Sequence, residues 1–177
     1  RIVDWIYQET GGHPFYLTET LRTLAGRLGS TLEALDPQRL VPPGVRAVIV
    51  HPHMFLSTKQ ARAILRRTVT MSDFVWQTAN LAGFIAGCFT SDFELIREGL
   101  NDVVIEPQRR QLIPGFSAVR SAAMAAGALG CSISGAGPSM FAWALASQAE
   151  AVRAVMVLEF GRNRAEVDHW VVDVDSP

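Results

Sequence analysis

The stretch Cys131-Ser132-Ile133-Ser134-Gly135-Ala136-Gly137-Pro138-Ser139-Met140-Phe141-Ala142-Trp143-Ala144-Leu145 decides the fold. Residues 131–134 and 139–145 are short runs on either side of two glycines and a proline, the pattern of two strands joined by a turn. Downstream, Ala149 to Phe160 carries apolar residues at helical spacing, and His169 to Asp175 alternates as a final strand. Upstream, Pro114-Gly115 opens an alanine-rich helix from Phe116 to Ala128, and Asp92 to Leu100 is another. Met71 to Thr90 supports one or two helices packed by Phe74, Trp76, Leu81, Phe84 and Ile85. Ser57-Thr58 cap a helix through Ala61, Ile64 and Leu65, and Val45 to Val50 is a β-branched strand ending at His51-Pro52. The order β, several α, β, β, α, β predicts an α+β domain with helices packed on a mostly antiparallel sheet.

Ahead of this domain the pattern changes. Ile2 and Ile6, then Phe15, Leu17, Leu21, Leu24 and Leu28 after the break Thr10-Gly11-Gly12-His13-Pro14, predict two short helices. Ser30 and Thr31 cap a third short turn at Leu32 to Leu35. Val41-Pro42-Pro43-Gly44 removes two backbone donors and stops regular structure, so the expected division is a helical segment, 1–44, and an α+β domain, 45–177. The opening residue, Arg1, gives the sequence the look of a piece excised from something longer.

Composition narrows the function. With 177 residues, 49% hydrophobic and 19% charged, the chain suits one main core plus an appendage. Sixteen basic and 17 acidic residues leave a net charge of -1, which offers no sequence-wide attraction to nucleic acid or an anionic membrane. Lys59 is the sole lysine and lies between Thr58 and Gln60, which excludes a Walker-type phosphate loop. Cys88 and Cys131 are too far apart in sequence to suggest a zinc cluster or a disulfide framework, and they fit a reducing cytoplasm. The longest apolar run, Met140 to Ala146, is too short to span a bilayer.

Three places could carry chemistry. In Ser132 to Ser139 two glycines beside serines let backbone N–H groups approach an anion, with phosphate the natural guest, although a tight strand connection uses the same residues. A helix starting near Ser57 puts Thr58 and Arg62 four residues apart on one face, where a hydroxyl and a guanidinium suit a small carboxylate; a plain cap and a solvated arginine look the same in sequence. Glu106-Pro107-Gln108-Arg109-Arg110 reads as a polar turn, either delivering a further guanidinium or facing solvent. His51 and His53 share a strand face without a third ligand in register, so no metal site is expected, and His13 and His169 read as surface or packing residues. No Ser-His-Asp or Cys-His arrangement follows from spacing, so no catalytic residue is assigned.

Three ordered motifs carry a resemblance. They are His51-Pro52 with Ser57-Thr58 and Ala61-Arg62; Asp102 to Pro107 with Arg109 and Leu112 to Phe116; and Gly130 to Ser139. Together they resemble the C-terminal half of homoserine kinase, a member of the GHMP small-molecule kinases, whose second half is a ferredoxin-like α+β domain with an antiparallel sheet. The resemblance implies that Thr58, Arg62 and Arg109, rather than Arg110, hold the amino-acid substrate homoserine. It also implies that Ser134, Gly135, Gly137 and Ser139 lie beside the nucleotide phosphates, with ATP and Mg as the family's cofactors and a homo-oligomer as the expected assembly.

Such kinases grip ATP mainly with a Pro-x-x-x-Gly-Leu-Gly-Ser-Ser-type loop, and these 177 residues contain no such loop. Thr10 to Leu17, with the Val41 to Arg46 end, instead resembles a helical segment that follows the nucleotide core of AAA-type or STAND regulatory ATPases. The resulting expectation is a recombined chain with no complete kinase activity. The competing readings are an intact but divergent homoserine kinase and an amino-acid-binding regulatory module.

Overall fold

The computed structural model describes residues 41–174; the helices expected over residues 1–35 lie outside them. Four strands form one antiparallel sheet in the order β2-β3-β1-β4. They are β1 (Val45–Pro52), β2 (Gly130–Ile133), β3 (Met140–Leu145) and β4 (Val167–Asp173). Between β1 and β2 run α1 (Thr58–Ala63), α2 (Met71–Thr90), α3 (Phe93–Gly99), α4 (Glu106–Arg109), a 3-10 turn (Arg110–Leu112) and α5 (Phe116–Ala125). The helix α6 (Ala146–Arg162) joins β3 to β4. The antiparallel α+β architecture expected from the sequence is the one observed.

Alternation along the strands sorts side chains between two faces. Val48 and Val50 of β1 and Met140, Ala142 and Ala144 of β3 point to one side, against Phe116, Val119 and Ala123 of α5 and Val152, Met156 and Phe160 of α6. Small alanines on the sheet leave room for large side chains on the helices, and each fully buried large residue contributes about 1.5–3 kcal/mol. Out of phase with that set, Val45 packs with Cys88, Ile96 and Leu129, and Phe84, Trp143 and Leu145 complete a second cluster under α2 and α3. The Phe84 and Trp143 rings lie 5.2 Å apart and tilted by 51°. Among the described residues the second face is open beyond this cluster, and Trp170 and Val172 of β4 are exposed.

The α2–α3 hairpin is set by its caps. Thr70 Oγ1 accepts the Asp73 N–H at the start of α2, Ser91 ends it in a left-handed conformation, and Asp92 at once accepts the Glu94 and Leu95 N–H groups to begin α3. The two helices touch through Gly87, where a Cβ would sit 2.7 Å from the Ile96 nitrogen.

Differences from the expected elements are local. α5 stops at Ala125 rather than Ala128, because Gly127 takes φ +98. β4 starts at Val167, two residues before the expected His169. The stretch read as a polar turn, 106–110, is helical over Glu106–Arg109, and its first residue is buried. Among the described residues no helix is long and apolar enough to cross a membrane, and no group of metal-ligating side chains gathers.

Candidate functional site

Three segments converge on Arg109, the last residue of α4. Its Nε donates to the Ala61 carbonyl of α1 at 3.0 Å, and its Nη1 donates to the Gly135 carbonyl at 2.8 Å. One planar guanidinium therefore ties the helix that bears Thr58 and Arg62 to the glycine turn between β2 and β3. On α1, Ala61 is buried while Arg62 is exposed and Thr58 lies toward the surface, so the short helix is anchored by its inner side. Ser57 occupies the N-cap position in an extended conformation, yet its side chain makes no capping bond, contrary to the expected cap.

The turn is closed by two of its own bonds. The Ser134 N–H donates to the Ser139 carbonyl at 2.8 Å, and the Gly137 N–H donates to the Ser134 carbonyl at 3.0 Å. Gly135 and Gly137 have φ of +58 and +81, and the Gly137–Pro138 peptide is cis. Ser134 and Gly137 thus spend their backbone donors inside the turn, and among the described residues the N–H groups of Gly135 and Ala136 have no partner. A Cβ on Gly135 would meet nothing within 4 Å, so glycine is required there by backbone conformation and not by crowding. These two unpartnered N–H groups on an open turn fit a phosphate oxygen. Ser139 lies opposite His51, near the strand end of β1, with its Oγ 2.8 Å from His51 Nδ1.

At the other end of α4 stands Glu106, to which the sequence reading gave no role of its own. Glu106 is only 7% exposed. It accepts the Ser132 hydroxyl at 2.5 Å, and Arg120 Nε lies 3.4 Å from its other oxygen. Arg120 also donates to the Cys131 carbonyl and to Asn101 Oδ1. Burial pushes the Glu106 carboxyl above the ordinary glutamate value, against the pull of the Ser132 hydrogen bond and of Arg120, while Asp102 adds to the rise. Asp102 accepts the N–H groups of Val104, Ile105 and Glu106, which fixes the entry to α4. The signal in sequence was the acid four residues ahead of Glu106-Pro107, since an acidic residue before a first-turn proline marks a helix start.

Hollows indent the described surface. One of about 430 Å³ lies between α2 and the open sheet face, lined by Leu81, Phe84, Leu100, Ser132, Phe141 and Trp143 among others. The second, about 300 Å³, is flanked by Arg66, Thr70, Asp73 and Gln108. Neither is lined by Thr58, Arg62, Arg109 or any residue from Ser134 to Ser139.

Residues 84–163 match the family described as GHMP kinases C terminal. The homoserine kinase of Xylella fastidiosa is 45% identical over 155 residues, covering 87% of this chain and 48% of that protein. The homoserine kinase of Chlorobaculum tepidum is 44% identical over 146 residues, covering 80% of this chain and 45% of that protein. The crystal structure of homoserine kinase from Cytophaga hutchinsonii superposes with a TM-score of 0.73 at 41% identity, covering 76% of this chain and 43% of that one. The chain spans about half the length of the curated relatives it matches. A match to 87% of the chain is longer than residues 45–177, so the similarity takes in residues on both sides of Gly44. Residues 84–163 are thus similar to the C-terminal domain of GHMP kinases, within a longer stretch of similarity to homoserine kinases.

Proposed function

We propose that this domain is the substrate-holding half of a homoserine-kinase-like phosphotransferase, in which ATP is the phosphoryl donor and a homoserine hydroxyl the acceptor. Thr58 and Arg62 hold the amino-acid carboxylate from α1, and the turn from Ser134 to Ser139 flanks the nucleotide phosphates. The observation that carries this reading is Arg109, whose two hydrogen bonds lock the amino-acid side and the phosphate side of the site to each other. Arg109 fixes that relationship and, with Thr58 and Arg62, holds the amino-acid substrate through its charge.

The same reading holds that residues 1–177 alone do not turn over homoserine. Phosphoryl transfer needs metal, nucleotide grip and acceptor positioned together, and one glycine turn with a few arginines supplies part of that set. ATP and Mg enter with a Pro-x-x-x-Gly-Leu-Gly-Ser-Ser-type loop, which these residues do not contain. A separate origin for part of the opening segment, as expected of 1–44, is proposed only for residues ahead of the homoserine-kinase match. Self-association belongs to the reading too: α2 leaves Met71 77% and Trp76 62% exposed beside Phe74 and Val75, an apolar stripe of the kind that marks contact surfaces.

A coupled assay with ATP, magnesium and homoserine, run beside an Arg62→Ala variant, tests the proposal together with a homoserine titration. Weak homoserine binding that Arg62→Ala abolishes, without turnover, is expected. Robust turnover would overturn the incomplete-site reading, and homoserine binding indifferent to Arg62 would overturn the substrate assignment. Light scattering that returns a monomer at high concentration would remove self-association.

A further inference from the structure

His51 and Ser139 sit at the end of the β1–β3 ladder, one step beyond the Val50–Met140 pair. Their contact, His51 Nδ1 to Ser139 Oγ at 2.8 Å, is partly buried and links residues 88 positions apart. Ser139 closes the glycine turn through its carbonyl, and its hydroxyl is held to the sheet by the bond to His51. A hydroxyl has one proton to give. If Nδ1 is bare, that proton goes to His51 and Ser139 offers a ligand lone pairs only. If Nδ1 carries hydrogen, His51 donates to Ser139 Oγ and the hydroxyl proton is released towards a ligand.

Resting on the proposed phosphate role of the turn, we infer that His51 is its positioning residue: the proton on Nδ1 sets Ser139 as a donor to a phosphate oxygen, alongside the Gly135 and Ala136 N–H groups. Nothing holds the imidazole in one form, because among the described residues His51 has no partner at Nε2. The charged groups around it are engaged elsewhere. Asp168, its partner on β4, lies 3.0 Å from His53 Nε2, Glu166 lies 3.7 Å from His53 Nδ1, and Arg109 is bonded to Ala61 and Gly135. A bound phosphate therefore draws His51 into the Nδ1–H form, and a residue that always presents N–H at that point replaces it.

The test uses the 177-residue chain with inorganic pyrophosphate as probe, followed by nitrogen-15 NMR of backbone amides and imidazoles and by calorimetry. Pyrophosphate is expected to shift the Gly135 and Ala136 amides and to convert His51 Nδ1 from acceptor to donor. His51→Asn, whose amide N–H reaches the same oxygen, keeps affinity within about threefold, whereas His51→Phe and Ser139→Ala each weaken it by about tenfold, and the double variant is no weaker than Ser139→Ala alone. Amide shifts with an unchanged His51 and an unaffected His51→Phe affinity would overturn this inference and leave the phosphate reading standing. No shift at Gly135 and Ala136 would overturn the phosphate reading and this inference with it. Because the His51 signal is read in the unaltered chain, a misfolded His51→Phe variant does not remove the test.

Discussion

Arg109 donates to the Gly135 carbonyl at 2.8 Å across 26 residues of sequence, while its Nε is spent on Ala61. A lysine carries one donor centre and cannot span two carbonyls set apart by a guanidinium fork. Arg109→Lys is therefore expected to cost about 1–2 kcal/mol and to loosen both α1 and the turn. Thermal unfolding, with amide exchange at residues 58–63 and 134–139, checks this; wild-type stability and protection would show that the two bonds contribute nothing.

Glu106 gives a pH signature. Its carboxyl titrates above an ordinary glutamate because burial outweighs Ser132 and Arg120, so the folded chain keeps that proton at pH values where the unfolded chain has released it. The stability this supplies is fully present below the ordinary glutamate value and is lost as pH rises through the raised one. Across that window the loss runs up to about 1.4 kcal/mol per pH unit. Glu106→Gln keeps an acceptor for Ser132 and has no such dependence, so the urea midpoints of the two chains should diverge in favour of the Glu106→Gln variant as pH rises from about 4 to about 7. Parallel profiles would refute the assignment.

Both cysteines are buried, and burial pushes each thiol up to about 12. Since only the thiolate reacts, Cys88 and Cys131 at about pH 8 should label about a thousandfold more slowly than an exposed cysteine, and urea should abolish the difference. Rapid labelling of either in the folded chain contradicts the packing described for it.

Two glycine substitutions should separate conformation from crowding. Gly135→Ala meets empty space and suffers only from its positive φ, a cost of about 1–2 kcal/mol. Gly99→Ala would drive a Cβ to 2.3 Å from the Phe84 nitrogen, backbone that cannot yield without parting α2 from α3. Gly99→Ala is expected to be the more damaging in chemical denaturation, with loss of the Phe84–Trp143 contact reported by tryptophan fluorescence.

Much of this was legible in the sequence where one period dominates. The β-branched run Val45 to Val50, the run Ser139 to Leu145 and the glycine turn ahead of it marked strands, turn and sheet class. The glycine turn also marked one side of the site. The rest depended on distant pairs: nothing local announces that Arg109 will serve Ala61 and Gly135, or that Ser132 will cover Glu106, because those partners lie 26 to 48 residues away. A charged run such as Glu106 to Arg110 looks solvated until its burial is known, and four residues are too few for helical periodicity to show.

The order β2-β3-β1-β4 also dictates when the molecule can be finished. Its earliest described strand lies between β3 and β4, both made later, so β1 waits until Met140 to Leu145 has been synthesised for its first neighbour and until Asp173 for its second. Pairing over such separations is slow to nucleate. A growing chain released before residue 167 would leave one flank of its central strand bare, available to any other extended backbone nearby.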